Sequence, residues 1–415
     1  MKTKIPGRVQ VIAWLCTLVY FASYLLRNNF AVMLVKVCSD MGYAKSALAI
    51  VITMQTIFYA SGQVVNGIIG DRVSPRIMLG GGLFIAIACN VTMFFLSSIP
   101  VMTVVWAING FAHAMLWPPM ARLLSTNLTE EEYYFAELRI HMGSSGATIG
   151  MYLLIPLLLK VISWRFVMLL FAGIGTLIFL AWVIGSGYVL TSDGNVKKED
   201  EPAKEIVYKP LPRYVWLPFV AIFISVIAMG TLRDGVTNWV PSFLLESFGM
   251  DEENAIFSTV VLAIFSLAAY HAASWIQRKF IRNEVLCSSV FFGVSAVSAI
   301  ALYVVNRFSI SSVVSLLLMS VIVACMHGNT LMFTVVVPKR FNNSGRVSTF
   351  AGLLNAPAYI GAALSTYGFA ALAEHFGWSF TLFSWFVVAL VGAALTALSV
   401  PLWQRFRREY DEAED

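Results

Sequence analysis

Two arginines stand inside apolar runs, Arg27 in "SYLLRNNFAVML" and Arg233 in "MGTLRDGVTNWV". A charge at the centre of a membrane-spanning helix costs about 2.5–3.5 kcal/mol on insertion scales, and residues that carry one face a bundle interior or a watery cavity. The planar guanidinium fork matches carboxylate or phosphate with two parallel hydrogen bonds. A phosphate monoester carries about −1.5 to −2 charges at pH 7, so two arginines suit it better than they suit a monocarboxylate. The chemistry these residues predict is an anion clamp.

The acidic residues bear on what could drive such a site. Asp234, directly after Arg233, is read here as the one acid inside a span. On that reading the site keeps one to two uncompensated positive charges and lacks the titratable carboxylate a proton relay uses. Exchange of one anion for another needs no such relay. Further polar residues recur at helical spacing, where residues three and four apart share a face. Tyr20 and Tyr24 lie on the stripe of Arg27. Gln55, Tyr59, Gln63 and Asn66 form a second stripe, His141, Ser144, Ser145 and Thr148 a third, and Ser348, Asn355 and Tyr359 a fourth. Each could equally hydrogen-bond between helices. Tyr20, Tyr24, Gln63, His141 and Asn355 are the predicted secondary contacts of the anion, and His141 could bind it or carry a proton. His113 and His327 read as packing residues.

The elements that position these residues follow from composition. Of 415 residues 59% are hydrophobic and 12% charged, against about a quarter charged in a soluble domain, and mean hydropathy is +0.77. A helix needs about 20 apolar residues to cross a bilayer. Twelve runs qualify, at 9–37, 44–70, 76–97, 99–125, 136–160, 164–190, 213–245, 253–277, 283–305, 309–337, 347–373 and 378–403. Lys2, Lys4 and Arg8 precede the first run as in a signal peptide, but the run is too long for one and lacks a clear cleavage site, so it reads as a retained helix. Only Lys36, Lys45, Lys160, Arg165 and Arg307 fall outside, at run ends or between runs on the side opposite the termini. By the positive-inside bias both termini face the cytoplasm of a cell (inner) membrane. The formal charge of +5 is mostly this topology signal, and there is no basic domain to bind nucleic acid.

Cys16, Cys38, Cys89, Cys287 and Cys325 stand singly, without the spacing of a metal site or a disulfide framework. No metal or other cofactor is expected. The Asn-x-Ser/Thr triplets at Asn127 and Asn342 fall in loops read as cytoplasmic, and "GGG" at 80–82 lacks the strand and helix of a phosphate loop.

The one long polar interval, "TSDGNVKKEDEPAKEIVYKPLP" at 191–212, divides the chain into a six-helix half at 1–190 and another at 213–415 that ends in a short cytoplasmic tail. The halves read as divergent copies. Arg8 precedes Arg27 much as Arg213 precedes Arg233. "SWRF" at 163–166 is answered by "GWSF" at 377–380, and His113 by His327 at the same offset. The fold class expected is all-α and membrane-integral, with twelve spans in two pseudo-symmetric halves. This architecture resembles the major facilitator transporters, in which substrate binds near the midplane between the halves. "GIIGDRVSPR" at 67–76 supports it, with Gly67, Asp71 and Arg72 in the places of that superfamily's Gly-x-x-x-Asp-Arg signature, which implies a cytoplasmic gate.

"YLLRNNF", "LWPPMARL", "LRDGVTNWVPSFL" and "GRVSTFAGLLN" resemble the organophosphate:phosphate antiporter family, which carries glycerol 3-phosphate and hexose phosphates. The resemblance implies that Arg27 and Arg233 grip the phosphate and that Tyr20 matches the family's first-span tyrosine. It departs from the family at Asn28 and Gln63, where lysines are usual, at Ser144, near which the functional histidine falls, and at Asn238 and Ala263, which replace acids. The function expected is exchange of an organophosphate for inorganic phosphate by a monomer. The alternatives are a proton- or sodium-coupled symporter of organic carboxylates and a membrane sugar-phosphate receptor. With no nucleophile–base pair, nucleotide loop or catalytic domain, an enzyme is not expected.

Overall fold

The computed structural model describes residues 5–191, 208–251 and 258–411. Residues 192–207, most of the predicted linker, lie outside them. Ten helical stretches among the described residues are long and apolar enough to cross a membrane. Val347–Tyr410 is two spans merged where Gly377, at φ 77° and ψ 170°, breaks the helix. Glu130–Leu158 accounts for the remaining predicted span; its polar start lowers its mean hydropathy.

The chain forms two compact units. The first comprises Met1–Val207 with Gly345–Gly352, and the second Tyr208–Ser344 with Leu353–Asp415. In the first unit, span one (Gly7–Met41) packs along span five (Glu130–Leu158) and span six (Trp164–Val189). Span two (Lys45–Gly70) packs along span four, and span three (Pro75–Phe95) along span six. Span four is broken into Ile99–His113 and Trp117–Asn127. Pro118 and Pro119 open its second part, where a missing N–H costs least.

Spans one and five extend past their predicted ends. Span one continues to Met41, so it carries Asp40, which pairs with Lys36 at 2.6 Å. Span five begins at Glu130 because Thr129 and Glu132 form a reciprocal capping box, with three acids in the first turn favoured by the helix dipole. The expectation of one intramembrane acid is corrected at two residues that already fall within the predicted runs 136–160 and 283–305. Glu137 lies in span five with none of its surface exposed, and Glu284 opens span nine (Glu284–Arg307), also fully buried.

Close helix approach in the first unit depends on Gly110. A Cβ there would overlap the backbone oxygen of Gln55, so only glycine lets spans two and four meet at this point. The second unit holds spans seven (Trp216–Phe248), eight (Thr259–Lys279), nine and ten (Ser312–Leu331). A π-helical turn, Met332–Val336, continues span ten. Glu284 accepts hydrogen bonds from Trp403 at 2.8 Å and Arg340 at 3.1 Å and stands 3.6 Å from Arg407. This buried carboxylate ties the start of span nine to the ends of spans ten and twelve.

Candidate functional site

In the first unit the backbone around Arg27 is fixed by buried amides. Gln55 of span two donates to the carbonyl oxygen of Arg27 and to Asn109 of span four, both at 2.9 Å. Asn90 of span three donates to the carbonyl of Leu26 at 2.9 Å, Asn109 adds a bond to the same oxygen at 3.4 Å, and Asn29 bonds to Asn90 at 2.7 Å. These amides are nearly or fully buried, where a satisfied polar network specifies one geometry. The amides of three neighbouring spans thus hold the turn of span one that bears Arg27. Gln55, which the sequence places on a possible lining stripe, instead serves as a positioning residue.

The Arg27 side chain lies over the rings of Tyr24 and Tyr59, its guanidinium carbon 4.9 and 4.5 Å from their centroids, and Nε donates to Asn28 at 3.3 Å. Two aromatic faces thus flank a guanidinium whose fork matches a planar or tetrahedral anion. Tyr20 is nearly buried and packs between Tyr24 and Trp117, with both centroid distances 5.5 Å. Trp117 in turn meets the His141 ring at 6.0 Å. An unbroken aromatic run therefore joins Arg27 to span five. At its far end His141 Nε2 stands 2.7 Å from Glu137 Oε1.

In the second unit Arg233 is gripped by its neighbour. Nε and Nη2 donate to the two carboxylate oxygens of Asp234 at 2.8 and 2.9 Å, and Nη1 donates to Thr330 at 3.2 Å. Of the one to two charges expected to be uncompensated, this one is paired, because the carboxylate one residue on can turn back onto the same guanidinium. Tyr270 and Tyr359 lie within electrostatic range of Arg233, and the Tyr270 hydroxyl is 3.2 Å from His327 Nδ1. Sequence spacing gave no sign of Thr330 or Tyr270, which come from other spans.

The remaining predicted residues fall in different settings. Gln63 is completely buried, and neither amide atom has a hydrogen-bond partner among the described residues. Asn355 is half-buried in the second unit. His113 is buried, with Nδ1 3.2 Å from the Ser23 hydroxyl, a packing arrangement. Among the residues of the Gly-x-x-x-Asp-Arg turn, Gly67 leaves room for the backbone of Ser348, and Asp71 accepts from the N–H groups of Ser348 at 2.8 Å and Thr349 at 3.1 Å and from the Thr349 hydroxyl. These are the first N–H groups of the helix that starts at Val347, so Asp71 caps it from outside. Burial pushes the Asp71 carboxyl above the ordinary carboxylate range, against the hydrogen bonds from Thr349 and Ser348 and the field of Arg122. Arg72 is exposed, and Arg122 takes the positioning role by donating to the Gly70 carbonyl at 2.6 Å.

Paired helical halves, a Gly-x-x-x-Asp-Arg turn whose acid caps another helix, and arginines within spans together define a polytopic membrane carrier. The chain belongs to the Major Facilitator Superfamily, whose pattern matches residues 16–365. It is 24% identical to the glycerol-3-phosphate transporter of Bacillus subtilis (strain 168) over 91% of this chain and 89% of that protein. It is also 24% identical to a probable hexose phosphate transport protein of Chlamydia muridarum (strain MoPn / Nigg), over 92% and 88%. The membrane sensor protein UhpC of Escherichia coli (strain K12) matches at 23%, over 91% and 88%. The fold is also that of a bacterial homologue of the iron transporter ferroportin, with TM-score 0.74 and 12% identity over 94% of this chain and 99% of that one.

Proposed function

We propose that this protein carries an organophosphate across the cell (inner) membrane in exchange for inorganic phosphate, by alternating access, with both termini in the cytoplasm. The observation that carries the reading is Arg27, whose backbone is pinned by Gln55 and whose guanidinium lies over the rings of Tyr24 and Tyr59. A cation so oriented within a span suits an anion that offers two oxygens. Arg233 is the second phosphate ligand, and Thr330 stands beside it. Tyr20 and Tyr24 shape the site on the Arg27 side, with Asn355 as a further contact. Gly67, Asp71 and Arg72 form the cytoplasmic gate segment. The names of the relatives from Bacillus and Chlamydia support a phosphorylated substrate.

The test is counterflow. Purified protein in liposomes loaded with phosphate should take up labelled phosphate, and external glycerol 3-phosphate or a hexose phosphate should compete. Arg27→Ala should abolish uptake, and normal uptake by both Arg27→Ala and Arg233→Ala would sink the reading. Saturable binding of glycerol 3-phosphate without counterflow would favour a receptor, the role that the name of the Escherichia coli relative carries.

A further inference from the structure

Glu137 is a fully buried acid in an apolar helix, yet anion exchange through the arginines leaves it without work. Its carboxylate faces His141 one turn on, Oε1 to Nε2 at 2.7 Å. Beyond His141, neither Glu137 oxygen has a hydrogen-bond donor among the described residues. The His141 side chain is 12% exposed while that of Glu137 is 0% exposed, so the imidazole is the side of the pair that water reaches. A carboxylate kept in a membrane helix with a histidine as its partner is expensive to maintain for packing alone.

The geometry points to a proton-binding pair: we infer that Glu137 and His141 take up one proton with each organophosphate carried and release it on the opposite side, while the phosphate that returns in exchange carries none. The inference rests on the anion-transport reading above and adds its coupling ion. With one shared proton the pair is neutral, as Glu⁻/His⁺ or GluH/His. A second proton, drawn from water at His141, gives GluH/His⁺ with one net positive charge, and its departure restores the neutral pair. A bound organophosphate stabilises the doubly protonated form by attraction. By linkage, the proton then tightens anion binding to the same extent.

The surroundings leave this charge change to the pair. On span five, Tyr133 lies one turn before Glu137 and within its field, and Arg139 is turned onto the rings of Phe135 and Trp14. Span four brings Trp117 against His141. Span one brings Thr17 against Gly143 and Tyr20 against Trp117. The charged residues of span one are Arg8 at its start, Arg27 at the end of the aromatic run, and the Lys36–Asp40 pair beyond it. Tyr20, Tyr24 and Trp117 are the contiguous contacts through which the pair and Arg27 sense each other.

The experiment uses full-length protein in phosphate-loaded liposomes with a pH-sensitive dye in the lumen. External glycerol 3-phosphate should acidify the lumen of wild-type vesicles. An inward proton gradient should raise accumulation by about tenfold per pH unit, as one proton per anion requires. In Glu137→Gln, which keeps the volume of the side chain, the ratio of uptake with and without the gradient should fall to about one. Wild-type vesicles that exchange anion at constant lumenal pH would overturn the proton pair and leave the anion carrier standing. The dye measurement needs no variant to fold. Wild-type vesicles that move neither anion nor proton would remove the transport reading and this inference with it.

Discussion

Replacing Arg27 by lysine keeps the charge and removes the fork. In the native site the guanidinium lies 4.9 Å from the Tyr24 centroid and 4.5 Å from that of Tyr59. A lysine ammonium can sit over one of these rings but cannot lie flat between both, and it offers phosphate a point charge instead of two parallel donors. One charge-assisted hydrogen bond is worth about 1.5–3 kcal/mol, and a cation–π face adds about 0.5–2 kcal/mol. Part of the second term survives in lysine. The expected loss is therefore about 2–3 kcal/mol, or about 30- to 150-fold in phosphate affinity. The measurement is equilibrium binding of labelled phosphate to purified protein, since a half-saturating concentration from transport mixes binding with turnover. The Gln55 bond goes to the backbone oxygen of Arg27 and survives the substitution, so thermal stability should change little. An Arg27→Lys variant that binds phosphate within about threefold of wild type would show that the fork does not grip the anion.

Two further outcomes follow from the same geometry. Asp234→Asn removes the carboxylate that competes for Arg233. It should tighten phosphate binding by about tenfold, the worth of one charge-assisted bond, and slow exchange by hindering release; weaker binding would mean that Asp234 orients Arg233 and does not compete for it. Gly110→Ala forces a methyl into the backbone of Gln55 and should cost about 1–3 kcal/mol through overpacking, read as a lower thermal midpoint in detergent. The control is Gly293→Ala, where an added Cβ meets nothing.

The spans were legible because hydropathy and length decide membrane insertion one helix at a time, and the arginines because a charge stands out against such a background. Partners from other helices were not legible. The Gln55, Asn90 and Asn109 bonds that fix the Arg27 turn join residues from three spans, and no periodicity within one span reveals them. Glu137 was missed for a different reason. The predicted run at 136–160 puts Glu137 at its second residue, where an acid reads as the edge of a span, since the capping box that moves the helix start back to Glu130 is a local signal that averaging over a window erases. Reading the box first sets Glu137 about two turns inside the helix, one turn before His141. The break in span four was foreshadowed by its paired prolines, whereas the π-helical turn at Met332–Val336 has no comparable mark in the sequence.

The two arginines, alike in the repeat, have become unlike in their partners, and the difference suits a carrier. Arg27 is flanked by aromatic rings and borne on a pinned backbone. Arg233 instead spends two donors on Asp234. An anion that takes this guanidinium must displace a carboxylate from it, so the net gain is the difference between two similar charge-assisted interactions. Tight gripping at both arginines would hold the substrate too long, because binding that favours one state of the cycle deepens a well from which the anion must escape. Under the proposed exchange, the Asp234 carboxylate lowers the affinity of Arg233 for the anion and so keeps release fast. The proton pair acts in the same sense: a proton gained at Glu137 and His141 strengthens binding on the loading side, and its loss weakens binding where the anion is delivered.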